Sequence, residues 1–299
     1  RQRRERALFD EGCQTSGQGT RDLLGCLGCD GKNASTSTHE IRAMLIICPT
    51  PIGNLDDLSI RQREALSTAD IIACEDTRHT GKLLELLEIN DPAPKLISYH
   101  EHNARARLPV LLKRLEVEDI ALVCDAGTPG VNDPGQELVS AAACQGIEVV
   151  ALPGASALTA AIAVSGAPMD GFVYLGFLPR RSVERQRLLD SLASERRALV
   201  AFETPHRLRA SLRDLLAHLG DRRIGVCREL TKLHEEVFRG TVSEAVTHFE
   251  QPRGEFTLVI EGAGLPAQPE PALDPRALLE DFRRTGTSAR DAVALVARV

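Results

Sequence analysis

The fold the sequence predicts is α/β: two α/β domains, each on a mostly parallel open sheet with helices against its faces. Two observations predict it. Short apolar runs alternate with amphipathic helical segments from Met44 onward, and the alternation restarts after a hinge-like passage, SGAPMDG at 165–171. Strands separated by helices form crossover units, which build parallel sheets. A third observation is size, since 299 residues can bury two separate cores.

MLIIC, DIIAC, KLISY, DIALVC and IEVVAL read as strands of a first domain, 44–166, with helices near 59–68, 79–88, 101–115 and 134–145. FVYLGF, ALVAFE, RIGVCR and FTLVIEGA read as strands of a second domain, 167–264, with helices near 182–193, 206–219 and 241–249. Residues 1–43 stand apart: four Arg in the first six positions lead into a Gly/Ser/Thr/Cys-rich tract, the composition of a disordered extension. After Gly264, LPAQPEPALDP is a Pro-rich linker, and Asp274 with Pro275 opens a partial helical tail within 265–299.

Composition narrows the function. No run approaches the ~18 apolar residues of a membrane helix, so no membrane partner is expected. A formal net charge of −6 argues against a general polyanion binder while leaving room for a local basic patch. Aromatics are 3% and Trp is absent, so base recognition cannot rest on a dense stacking platform. Cys48, Cys74, Cys124 and Cys227 end apolar runs and read as small core residues. Cys26 and Cys29 form a CxxC without the second pair or His spacing of a zinc site, so no metal is expected. With no secretory signal, the expected compartment is the reducing cytoplasm.

Three loops at successive strand ends have the composition of a ligand cleft, because open α/β sheets bind ligands outside the carboxyl ends of their strands. TPIGN at 50–54 turns at Gly53, and Ser59 with Gln62 then resembles a capping box. In DAGTPG, Gly127 and Gly130 permit close backbone approach to a ligand, and Asp125 offers acceptors to it or to the loop itself. LPGASALTAA at 152–161 leads through Ser156 into a helix of small residues. Neither GxGxxG nor GxxxxGK[ST] is present, so dinucleotide and P-loop chemistry lose their support. Polar clusters also follow the apolar runs: CEDTRHTGK, SYHEHN, FETPHR and RELTKLHEE. Each alone reads as a solvated helix start, where an acidic residue suits the helix dipole.

Taken in order, TPIGNLDDLS, EDTRHTGKLL, SYHEHN, CDAGTPGVNDPG, LPGASAL, GFLPRR, FETPHR, RELTKLHEE and GEFTLVIEG closely resemble the bacterial 16S rRNA 2′-O-ribose cytidine methyltransferases. These belong to the tetrapyrrole-methylase-like superfamily, and the resemblance runs from about Met44 to Gly262. It implies a cleft between the two domains that holds S-adenosylmethionine, a homodimer, and methylation of a cytidine ribose in the small ribosomal subunit. The superfamily's cofactor contacts then fall on Pro51, on Ala126, Gly127, Thr128 and Val131, on Ser156 and Ala157, and on Thr204 and Leu230. Where tetrapyrrole members carry Gly-Asp-Pro, this chain has Gly127-Thr128-Pro129, which moves the reading away from tetrapyrroles.

Methyl transfer to a hydroxyl asks for alignment and for a group to take the proton. Asp76, His100, Glu203 and His206 are unranked candidates for that group, being ionisable residues beside the ends of apolar runs. Arg78, Arg180, Arg207 and Lys232 are candidates for RNA phosphate. Two alternatives stand beside this expectation: the same fold acting on a tetrapyrrole or protein substrate, and a ribosome-associated cofactor-binding protein without turnover.

Overall fold

The computed structural model describes residues 43–90, 92–168 and 170–264, with 284, 285, 288, 290 and 291. The extension expected at 1–43, Ala43 apart, lies outside the described residues, as do Cys26 and Cys29. The linker and tail expected at 265–299 also lie outside them, but for those last five positions.

The first sheet comprises β1 (Met44–Ile47), β2 (Ile71–Cys74), β3 (Lys95–Ser98), β4 (Ile120–Leu122) and β5 (Glu148–Ala151), in the order β3-β2-β4-β1-β5. Every pairing in it is parallel, as crossovers through helices require. The helices are α1 (Ile60–Thr68), α2 (Thr77–Leu86), α3 (Ala104–Arg114) and α4 (Gln136–Cys144). β2 and β4 are buried along their whole length, which is why they read as unbroken apolar runs. α1 begins as expected: Gln62 N–H donates to Ser59 Oγ at 3.2 Å, and Ser59 N–H donates to Gln62 Oε1 at 2.6 Å. From β1 the chain crosses toward β2, whereas from β4 it crosses toward β5, so the neighbours β1 and β4 flank the point where the winding reverses. Loops there diverge and leave a crevice.

The second sheet comprises β6 (Phe172–Phe177), β7 (Ala198–Glu203), β8 (Arg223–Arg228), β9 (Glu236–Thr241) and β10 (Phe256–Ile260), in the order β6-β7-β10-β8-β9. Its helices are α6 (Ser182–Ser191), α7 (Pro205–Leu219) and α8 (Val242–His248). Here the sheet differs from a mostly parallel one. β6 and β7 pair in parallel, while β10 runs antiparallel to both β7 and β8, and β8 antiparallel to β9. The cause is chain length: residues 229–235 are too short for a crossover, which takes roughly a dozen residues, so β9 folds back as a hairpin.

Each sheet has its own core, one around Leu45, Ile71, Ile120 and Leu138 and another around Leu199, Leu212, Val226 and Leu258. Cys48, Cys74, Cys124 and Cys227 are all buried, and burial pushes the Cys48 thiol up to about 12 and that of Cys227 to about 11. α5 (Ala157–Ser165) follows β5 but lies on the second sheet. Its Ala161 joins Val200, Cys227, Leu230 and Val259 in a cluster that also takes Ile52 from the first loop. Both sheets accordingly lie in one compact unit.

Candidate active site

A cavity of about 310 Å³ opens where the strand-end loops of the first sheet meet β7, β8 and β10 of the second. The loop after β4 supplies Asp125, Ala126, Gly127, Thr128, Val131, Asn132 and Asp133, and the loop after β5 supplies Ser156 and Ala157. The opposite wall is Phe177, Phe202, Glu203, Thr204, Cys227, Leu230, Glu255 and Thr257. Leu230 is carried in by a tight turn in which Glu229 (φ +48°) and Thr231 (φ +66°) are left-handed, unusual for a β-branched residue.

The loops are tied to one another. Thr50 N–H donates to Gly127 O at 2.9 Å and Gly127 N–H returns to Thr50 O at 3.0 Å, a miniature antiparallel pairing. Thr50 Oγ1 donates to Cys124 O at 3.0 Å, and Thr128 Oγ1 to Ala155 O at 3.1 Å. Gly127 stands at φ +87°, a conformation that a residue with a Cβ adopts at a cost. Asp125 accepts the Asp76 N–H at 3.3 Å, so its carboxylate holds the loop against the end of β2.

Eight of the nine residues expected at the cofactor line this cavity: Ala126, Gly127, Thr128, Val131, Ser156, Ala157, Thr204 and Leu230. Pro51 does not line it and stands in the loop behind, beside Ile52, which does.

The four candidates for the proton-accepting group are dispersed. Asp76 caps α2, where the Arg78 side chain and N–H hold its carboxyl down to about 2. His100 lies at the end of the edge strand β3, two strands from β4, where its N–H donates to Asn103 Oδ1 at 2.9 Å and its Nδ1 is buried without a partner among the described residues. Glu203 lines the cavity, yet its side chain is wholly buried and engaged. It accepts Ser211 Oγ at 2.5 Å, Thr204 N–H at 2.8 Å and Arg207 Nη2 at 3.2 Å. His206 is exposed and lines a second hollow with Phe177, Leu178, Pro179, Arg180, Thr204 and Arg207. Phe177 and Thr204 belong to both hollow and cavity.

The four basic candidates divide as well. Arg78 and Arg180 are exposed. Arg207 points inward, donating to Leu178 O and Glu203, and Lys232 is held between Glu229 Oε1 at 3.1 Å and Glu255 Oε2 at 2.8 Å.

Sequence reasoning named neither Phe177 nor Asp133, although both stand inside quoted motifs, GFLPRR and VNDPG. Burial, then the nearby Asp125 carboxylate, pushes the Asp133 carboxyl up, and burial with Asp125 and Asp133 raises Glu75. Tyr174 is lifted to about 12 by burial and by Asp133, and its hydroxyl has no hydrogen-bond partner among the described residues.

A family model described as tetrapyrrole (corrin/porphyrin) methylases matches residues 44–246, which spans both sheets up to α8. The chain belongs to this family. Among curated proteins, this methylase is 52% identical over 224 residues to ribosomal RNA small subunit methyltransferase I of Synechocystis sp., covering 74% of this chain and 79% of that one. It is 42% identical over 270 residues to the protein of the same name from Halalkalibacterium halodurans, covering 88% and 92%. With the one from Thermotoga maritima it shares 49% over 221 residues, covering 73% and 98%. Among solved structures, a diphthine synthase superposes with a TM-score of 0.58 at 15% identity, covering 75% of this chain and 91% of that one. A uroporphyrin-III C-methyltransferase from Thermus thermophilus, complexed with S-adenyl homocysteine, superposes at 0.50 and 18%, covering 73% and 97%. Those identities speak for the shared fold. No helix among the described residues is long and apolar enough to cross a membrane.

Proposed function

We propose that this methylase transfers a methyl group from S-adenosylmethionine to the ribose 2′-hydroxyl of a cytidine in 16S rRNA of the small ribosomal subunit, in the cytoplasm and as a homodimer. The observation that carries this reading is the preformed cavity at the reversal point of the first sheet, in a chain so similar over most of its length to methyltransferases named for small-subunit ribosomal RNA.

The cavity suits the donor. Bound there, S-adenosylmethionine supplies an electrophilic methyl group on a positively charged sulfur. Small side chains at Ala126, Gly127, Ser156 and Ala157 let the backbone approach a ligand, Phe202 offers ring surface, and Asp125 and Asp133 face a cation with carboxylates. Thr128, Val131, Thr204 and Leu230 complete the hold, with Pro51 stiffening the first loop from behind.

Alignment does most of the work, since positioning supplies roughly 7–11 kcal/mol of such a barrier. Of the four candidates for the proton, His206 is the one whose side chain is exposed at the hollow adjoining the cavity, and we assign its imidazole the hydroxyl proton. Asp76 and Glu203 are committed to local structure, and His100 stands at the far edge of the sheet. Arg78 and Arg180 are assigned to phosphate because both are exposed, although Arg78 also pairs with Asp76, whereas Arg207 and Lys232 are largely buried against carboxylates.

Mass mapping of 16S rRNA from cells with and without the gene tests the reading. A 2′-O-methylcytidine should disappear with the gene and return when labelled donor and purified protein are added to undermethylated small subunits. An unchanged rRNA map, or transfer to a porphyrinoid acceptor instead, would overturn it. Binding of S-adenosylhomocysteine without turnover would mark a non-catalytic protein, and a monomeric mass in sedimentation would remove the homodimer.

A further inference from the structure

We infer that the hollow beside the cofactor cavity is the subsite for the acceptor nucleotide, with Phe177 stacking on the target base and Arg180 holding an adjacent phosphate. This rests on the function proposed above and deepens it.

Position comes first. The hollow and the cavity share Phe177 and Thr204, so a nucleotide in one lies beside a donor in the other across those two residues. His206 lines the hollow alone, on the acceptor's side of that shared wall.

Phe177 also leaves apolar surface open at the hollow. In a chain with 3% aromatic residues, this one is left 52% exposed. The ring is nonetheless fixed, packing edge-on against Phe202 at 5.6 Å, which in turn meets Tyr174 at 5.5 Å. Its backbone is specified too. β6 carries a register shift between Tyr174 and Gly176, and such irregularities re-aim the side chain that follows. Gly176 sits at φ +65° with the Asn132 side chain against it, so the first half of the chain braces the bulge. A rigid ring with open surface is what a base needs, because every base has a π-face to stack.

The charge fits the same ligand. Arg180 is exposed at the hollow with no hydrogen-bond or ion-pair partner among the described residues. Arg207, which also lines the hollow, is engaged by Leu178 O and Glu203 and leaves the phosphate to Arg180. A guanidinium free at the hollow matches the phosphate of a nucleotide whose base lies on the ring. To occupy this site the nucleotide must leave its stack, as nucleotides do when enzymes take them into a pocket.

The test is steady-state methylation of small ribosomal subunits by wild type, Phe177→Ala, Phe177→Trp and Arg180→Ala. Calorimetry of S-adenosylhomocysteine and pelleting of cofactor-free protein with subunits accompany it. Losing the ring should raise KM for subunits and weaken pelleting by about 5- to 140-fold, the fold-change equivalent to about 1–3 kcal/mol of stacking. Trp should restore most of it, and S-adenosylhomocysteine affinity should stay within about twofold. Arg180→Ala should lower the salt dependence of pelleting by roughly 0.7–0.9 in slope, one phosphate contact. An unmoved KM in Phe177→Ala overturns the subsite, and so does a loss of S-adenosylhomocysteine affinity as large as the rise in KM, which would place the ring on the cofactor. Wild type that binds S-adenosylhomocysteine yet methylates no subunits sinks the proposed function and this subsite with it, a result distinct from either of those.

Discussion

Replacing Glu203 with alanine separates a structural carboxylate from a chemical one. The side chain has no exposed surface and accepts three donors: Ser211 Oγ at 2.5 Å, Thr204 N–H at 2.8 Å and Arg207 Nη2 at 3.2 Å. Ser211 is itself fully buried, so alanine strands its hydroxyl, a peptide N–H at the start of α7 and a mostly buried guanidinium. Breaking a buried ion pair by removing one partner costs about 3–5 kcal/mol, which already includes much of the stranding penalty. Against a typical total of about 5–15 kcal/mol this is large, and it lowers Tm by roughly 6–20 °C for a unit of this size. Urea denaturation of Glu203→Ala and Glu203→Gln measures it, with glutamine expected to lose less because it keeps an acceptor for Ser211. Glutamine should also keep kcat within about tenfold at saturating substrates, well short of the ~10²–10⁴-fold loss of a missing general base. If Glu203→Ala unfolds within about 1 kcal/mol of wild type while Glu203→Gln loses activity a thousandfold, the carboxylate is the base and the structural assignment is wrong.

Gly176→Ala places a Cβ 2.8 Å from the Asn132 amide at φ +65°, so about 1 kcal/mol of backbone strain adds to the collision and Tm should fall by several degrees. An unchanged Tm would show that the bulge needs no glycine. The Asp133 carboxyl is raised, so its contribution is favourable where it is protonated and is lost as pH climbs through the folded value. Asp133→Asn should therefore be more stable than wild type at pH 7.5, the gain shrinking toward about pH 4, near the unfolded value. Urea midpoints across that range check it, and a gain that grew on acidification would refute the sign. His206→Asn should depress kcat by ~10²-fold or more while leaving S-adenosylhomocysteine affinity unmoved. A normal kcat removes its assignment.

The first sheet was legible because buried parallel strands advertise themselves as apolar runs, and β2 and β4 are buried at every residue. β9 was not legible. EVFRGT lies at the sheet edge with no residue fully buried, and Glu236 and Arg239 give it the charge that edge strands use against aggregation. Nor does sequence reveal that β10 slots antiparallel between β7 and β8, since pairing depends on which strands become neighbours. The helical character of α5 was visible, but its small residues look the same whether they face the first sheet or, as here, the second.

At the site, glycines and prolines marked the loops, while side-chain commitments stayed hidden. Lys232 reads as a free cation until Glu255, far away in the chain, reaches it across the β8–β10 pairing. Arg207 reads as exposed until Leu178 O, on another strand's exit, takes its Nη2. Asp133 went unnamed because its distinguishing property is burial beside Asp125, and that arises only on folding.

The reciprocal bonds between Thr50 and Gly127 have a thermodynamic consequence. Two loops that would otherwise be ordered by the ligand are already ordered by each other, so their conformational entropy is lost during folding rather than on association. A ligand arriving at this floor keeps more of its contact energy as affinity, which is the advantage of preorganisation.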